Sequence, residues 1–91
     1  MIDDRRVGKF RIKLEMINKN PNAVKNFMGN MIVLEAKIDF MRHSVEYTAI
    51  NETLFDEVPF AESAPYYTLN YFHHEGETAI QGVQKENEYP Y

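Results

Sequence analysis

Between Gly8 and Met16 the chain alternates without a break: Phe10, Ile12, Leu14 and Met16 take every second place, and Lys9, Arg11, Lys13 and Glu15 fill the places between. A two-residue period matches the pleat of a β-strand, whose successive side chains point to opposite faces. The segment reads as a half-buried strand with a basic outer face, and such a strand needs a second layer over its apolar side.

Asn20-Pro21-Asn22 then offers a cap followed by proline at the first helical position, and Gly29 stands where a helix would stop, so a short helix is expected over 21–28, burying Val24, Phe27 and Met28. From Asn30 to Ile50 two templates fit. As a strand, Ile32, Leu34, Ala36, Ile38 and Phe40 lie opposite Val33, Glu35, Lys37, Asp39 and Met41; as a helix, Val24, Phe27, Met31, Leu34, Ile38, Met41 and Val45 form a heptad seam within one long helix over 21–46. Two considerations favour strands. Gly29 inside a continuous helix costs about 1 kcal/mol, and Val45-Glu46-Tyr47-Thr48-Ala49-Ile50 is β-branched and aromatic. A turn around Arg42-His43-Ser44 would fold 31–41 onto 45–50 as a hairpin.

Residues 51–65 mix acids and two prolines with Leu54, Phe55, Val58 and Phe60, the pattern of an ordered loop pinned by its own side chains. Tyr66 to His73 resumes a strand, Gly76 supplies a turn, Thr78 to Val83 forms a last strand, and 84–91 reads as a flexible tail after a single domain of 1–83. Short connections make antiparallel pairing the default. The expected fold is therefore α+β, mostly β: a curled antiparallel sheet or small open barrel with one short helix, the long helix being the alternative.

Composition narrows the class of function. The chain of 91 residues has no cysteine, which removes disulfides, thiolate metal sites and a thiol nucleophile together. No apolar run reaches the roughly 18 residues of a membrane span, and the start lacks a secretory apolar core, so the reading is a cytoplasmic protein with no membrane partner. Charge is split along the length: residues 1–45 hold nine cations against five anions, residues 46–91 one against nine. Either the halves neutralise each other across a folded sheet, or each sign faces its own partner.

Arg5, Arg6, Lys9, Arg11 and Lys13 make a row of cations suited to a nucleic-acid backbone or a nucleotide signal, although Phe10 falls on the opposite face and leaves the row without an interleaved stacking ring. His73, Glu75 and Glu77 share a strand face and would need His43 to complete a metal site, whereas His74 points away; no metal or other cofactor is assigned. Asp56, Glu57 and Glu62 show no spacing for an acid/base pair, and no nucleophile-elbow or phosphate-loop glycine pattern occurs, so the chain is read as no enzyme. The aromatic residues of the acidic half are the stronger signal. Tyr47, Phe55, Phe60, Tyr66, Tyr67 and Tyr71 are candidate protein-binding residues, because amphipathic rings bury area at low entropic cost. Apolar residues on both faces of the expected strands exceed what one core needs, which points to a homo-oligomer.

Glu46, Tyr47, Ala49, Phe55, Asp56, Glu57, Val58 and Pro59, followed by Pro65 and Tyr67, resemble a pattern found in small accessory proteins of tailed bacteriophages. The resemblance covers residues 45–71 and brings no catalytic residue with it. It implies an accessory or counter-defence factor, made during infection, that binds a host protein in the host cytoplasm.

Overall fold

The computed structural model describes residues 5–59 and 62–86. Strand β1 (Val7–Lys13) leads into two short helices, α1 (Leu14–Lys19) and α2 (Pro21–Met28), and these are followed by β2 (Ile32–Asp39), β3 (Ser44–Ile50), β4 (Tyr67–His74) and β5 (Glu77–Lys85). The strands form an antiparallel three-stranded sheet ordered β1-β3-β2 and an antiparallel hairpin β4-β5. A parallel bridge between Lys9 and Tyr66 joins the two, with the Lys9 N–H donating to the Pro65 carbonyl at 2.9 Å. Neither sheet closes into a barrel among the described residues. The fold is α+β and mostly β, and the long helix is overturned: only its first part is helical, as α2, and β2 and the start of β3 replace the rest.

The alternating segment stays a strand only as far as Lys13. Leu14-Glu15-Met16-Ile17-Asn18-Lys19 turns helical because Leu, Glu, Met and Lys are strong helix formers, and because Glu15 and Lys19 meet one turn apart at 3.2 Å. Asn20 joins the helices: its N–H donates to the Met16 carbonyl, its own carbonyl accepts from Ala23 and Val24, and Pro21 opens α2 as expected. In the β2-β3 hairpin the turn falls at 40–43, slightly earlier than the sequence suggested. Asp39 fixes it by accepting from the Arg42 N–H and guanidinium, and His43 adopts a left-handed φ of 49°. The Arg42 guanidinium also holds the Asp39 carboxyl below its ordinary range. Glu75 and Gly76, both left-handed at φ 51° and 81°, give the β4-β5 hairpin the backbone of a type I′ turn.

Phe10, Ile12, Val24, Ala49, Phe55, Tyr67 and Leu69 make the buried core, with Phe27, Met28, Tyr47, Ile80 and Val83 packed around it. Rings dominate. Phe10 meets Phe27 edge-on at 5.6 Å and stacks with Tyr47 at 5.5 Å, while Phe55 lies 4.8 Å from Tyr67. Gly8 makes this possible, because a Cβ there would come within 2.7 Å of the Phe55 ring and 2.8 Å of the Tyr67 ring. β5 runs to Lys85 and the Glu86 N–H still donates to the Tyr66 carbonyl, so 84–86 belong to the hairpin rather than to a tail; 87–91 lie outside the described residues.

Candidate interaction surfaces

The basic row of β1 lies where its alternation places it, on the outer face of the three-stranded sheet. There Arg11 on β1 and Lys37 on β2 both stand opposite Glu46 on β3. Arg11 reaches the Glu46 carboxylate at 3.5 Å, and the Tyr66 hydroxyl donates to the same Glu46 Oε1 at 3.0 Å. The Arg11 guanidinium sits 4.6 Å from the centre of the Tyr66 ring and the Lys9 ammonium 5.5 Å from it, so one tyrosine covers two cations. Donation to Glu46, then partial burial, pushes the Tyr66 phenol above its ordinary value. Arg5 pairs with Glu57, and Arg6 donates to the Phe55 carbonyl at 3.2 Å. Four of the five candidate nucleic-acid contacts are thus engaged within the chain, and Lys13 is exposed. Of the two readings of the split charge, mutual neutralisation describes this face.

The candidate protein-binding rings separate into three groups. Phe55 (1% exposed) and Tyr67 (4%) are core residues, and the Tyr67 hydroxyl accepts from the Asp56 N–H at 2.9 Å. Tyr47 and Tyr66 are half-buried, Tyr47 against Phe10 with its phenol pushed up by burial. Tyr71 alone among the described ones is exposed, at 40%; Phe60 lies outside the described residues. Sequence reasoning missed Asn51, which organises the loop after β3. Its buried side chain donates to the Asn30 carbonyl and accepts from Thr53 and Leu54, an Asx turn whose signal was the Asn51-Glu52-Thr53 run.

The large apolar side chains left exposed are concentrated in two places. Ile32, Val33, Leu34, Ile38, Phe40 and Met41 belong to β2 and its turn, and Tyr71 and Phe72 to β4. On one side of β4, Phe72 stacks with His74 at 5.9 Å beside exposed Glu75 and Glu77. On the other, Tyr71 and His73 line a cleft of about 360 Å³ with Lys13, Met16 and Lys19 of the α1 region. His73 Nδ1 is 2.8 Å from the Thr78 hydroxyl, and no three His, Asp or Glu side chains converge on a metal position among the described residues.

These features define a small α+β module whose inner face is closed by aromatic packing over β1 and whose apolar excess lies on two strands. No family model, curated protein or solved structure matches the chain. No helix among the described residues is long and apolar enough to cross a membrane.

Proposed function

We propose that this protein is a non-enzymatic interaction protein that acts by holding another protein. With the resemblance of residues 45–71, the reading extends to a bacteriophage accessory or counter-defence factor that binds a host protein in the cytoplasm and is itself a homo-oligomer. One observation carries it: the exposed large apolar side chains gather on β2 with its turn and on β4 rather than scattering over the surface. Covering a side chain of this size contributes about 1.5–3 kcal/mol, so two or three such residues in one patch anchor a complex. The host-facing patch is assigned to the β4-β5 hairpin, where Phe72 stands beside the carboxylates of Glu75 and Glu77 and keeps the aromatic and acidic character of the expected surface, while Tyr71 is presented on the opposite side of β4. Of the other described ring candidates, Tyr47, Phe55 and Tyr67 serve the core and Tyr66 the cluster on the outer face.

The test is capture from a bacterial lysate by the immobilised chain, with Tyr71→Ser/Phe72→Ser as the comparison bait. A protein retained by the wild type and lost with the double variant, at unchanged circular dichroism, supports the assignment. Equal retention by both removes it. Retention of nucleic acid that falls steeply with salt would instead favour the row Arg5, Arg6, Lys9, Arg11 and Lys13.

A further inference from the structure

β2 is an edge strand, and among the described residues nothing pairs along its far side. Among the described elements it touches β3 alone, and Ile32 through Ile38 are all exposed. An edge of that length presents a row of unpaired N–H and C=O groups, a template for one more strand. The sequence of the edge says which strand fits. Read outward from Ala36, it carries Glu35 on one side and Lys37 on the other, then Leu34 and Ile38.

We propose that a second copy of this chain pairs antiparallel along β2, with the two-fold axis at Ala36, so that two three-stranded sheets join into one of six strands. This rests on the oligomeric part of the reading above and gives it a surface. In that register Glu35 of each copy stands opposite Lys37 of the other, twice, and the residue that meets itself on the axis is a neutral alanine. Glu35 and Lys37 point to the outer face, since their β3 neighbours are Thr48 and Glu46, while Ala36 and Ile38 share the inner face with Tyr47 and Val45. Moving the axis by one residue sets Glu35 against Glu35 or Lys37 against Lys37, and like charges directly opposite oppose pairing. An axis at Ile38 also matches Lys37 with Asp39, yet overlaps only residues 37–39 of each strand.

The assembly stops at two. The far edge of the three-stranded sheet, β1, is already occupied from Arg5 to Lys9: the Val58 N–H donates to the Arg5 carbonyl, Arg6 bridges Glu57, and the Lys9 N–H is held by Pro65, which leaves only a short stretch of that edge open. The irregularity at Leu34, where β2 carries one residue more than β3 between Val33 and Glu35, bends the open edge and limits its regular part to the residues around Ala36. An isologous contact of this kind is closed, because each β2 edge is used up by the other.

The absence of cysteine makes the test clean. On the axis, facing Cα atoms lie about 4.5–5.5 Å apart, within disulfide reach. Light scattering should give twice the chain mass of 10.7 kDa at high concentration. Oxidised Ala36→Cys should become a covalent dimer, with Ile38→Cys crosslinking far less. Lys37→Glu, at an exposed position, should weaken the dimer by about tenfold or more, and adding Glu35→Lys should restore it. A single-chain mass at every concentration overturns both this pairing and the oligomeric reading. A dimer that neither crosslinks through Ala36→Cys nor responds to Lys37→Glu overturns the pairing alone, and a stronger crosslink from Ile38→Cys overturns the register.

Discussion

β1 and β2 flank β3 in antiparallel register over nearly the same residues, and both are amphipathic in sequence, yet their fates differ completely. Phe10 and Ile12 of β1 are fully buried, whereas Ile38 of β2, level with Ile12 across Val45, is 55% exposed. The strands do not differ in pattern so much as in what lies over them. Gly8 opens a space on β1 into which Phe55 and Tyr67 descend, and Phe27 of α2 closes it from the other side against Phe10. β2 touches neither the helices nor the hairpin. Burial is thus decided by the covering layer, and an alternating strand states only which side is ready to be covered.

The contrast is broken most directly by truncation. Phe10→Ala should cost about 3–5 kcal/mol, the range for a fully buried phenylalanine, because three aromatic neighbours, Phe27, Tyr47 and Phe55, converge on the space it leaves. That is a large part of the roughly 5–15 kcal/mol by which a domain is stable. Ile38→Ala, measured in dilute solution, should cost about 0.5 kcal/mol or less, as surface substitutions do. Urea denaturation midpoints provide the check, and equal losses would mean that β2 has a cover of its own.

A smaller effect separates two glycines. Gly8→Ala forces a methyl group into the Phe55 and Tyr67 rings and should cost about 1–3 kcal/mol, the range for overpacking. At Gly82 on β5 nothing lies within 4 Å of the added Cβ, so Gly82→Ala should be neutral or gain a few tenths of a kcal/mol, at about the size expected from reduced unfolded-state freedom. Thermal midpoints of the two variants settle whether the ring layer or the glycine backbone sets the cost.

Local rules were legible in the sequence where one signal acted alone. The two-residue period gave β1, Asn20-Pro21 gave the start of α2, and Gly76 marked the second hairpin turn, while the β-branched run at Val45 placed β3. Competing signals concealed the rest. Leu14 and Met16 continue the alternation of β1, but the helix propensity of Leu14 to Lys19 prevails, so α1 was missed. Phe55 sits among acids and Tyr67 beside a second tyrosine, so both read as interface rings, and nothing adjacent to them reveals that Gly8, some fifty residues away, leaves room for both. The Tyr66 cluster was hidden for the same reason. It exists only once β1, β3 and the segment before β4 are set side by side, which periodicity cannot specify.

That cluster extends the contrast to the outer face, where the β1 side is covered by Tyr66 and the β2 side is bare. Tyr66→Phe keeps the ring over Lys9 and Arg11 but removes the hydroxyl that donates to Glu46. The loss at neutral pH should be about 1 kcal/mol, as for one hydrogen bond to a partly buried acceptor. Its pH dependence has a defined sign. The phenol is raised above its ordinary 10.0 in the folded chain, first by the bond to Glu46, with the nearby Arg11 and Arg42 guanidinium groups acting against the shift. The folded state therefore holds the Tyr66 proton more tightly than the unfolded state does. Its contribution is complete below pH 10 and disappears as the pH rises through the folded value. Tyr47 and Tyr71, also raised, keep titrating in the variant, so the informative quantity is the difference between wild type and Tyr66→Phe rather than either curve. That difference should be flat from pH 6 to about 9 and shrink above 10 in chemical denaturation series. A difference that persists unchanged into alkali would mean that the ring over the cations, and not the hydroxyl, closes the outer face of β1.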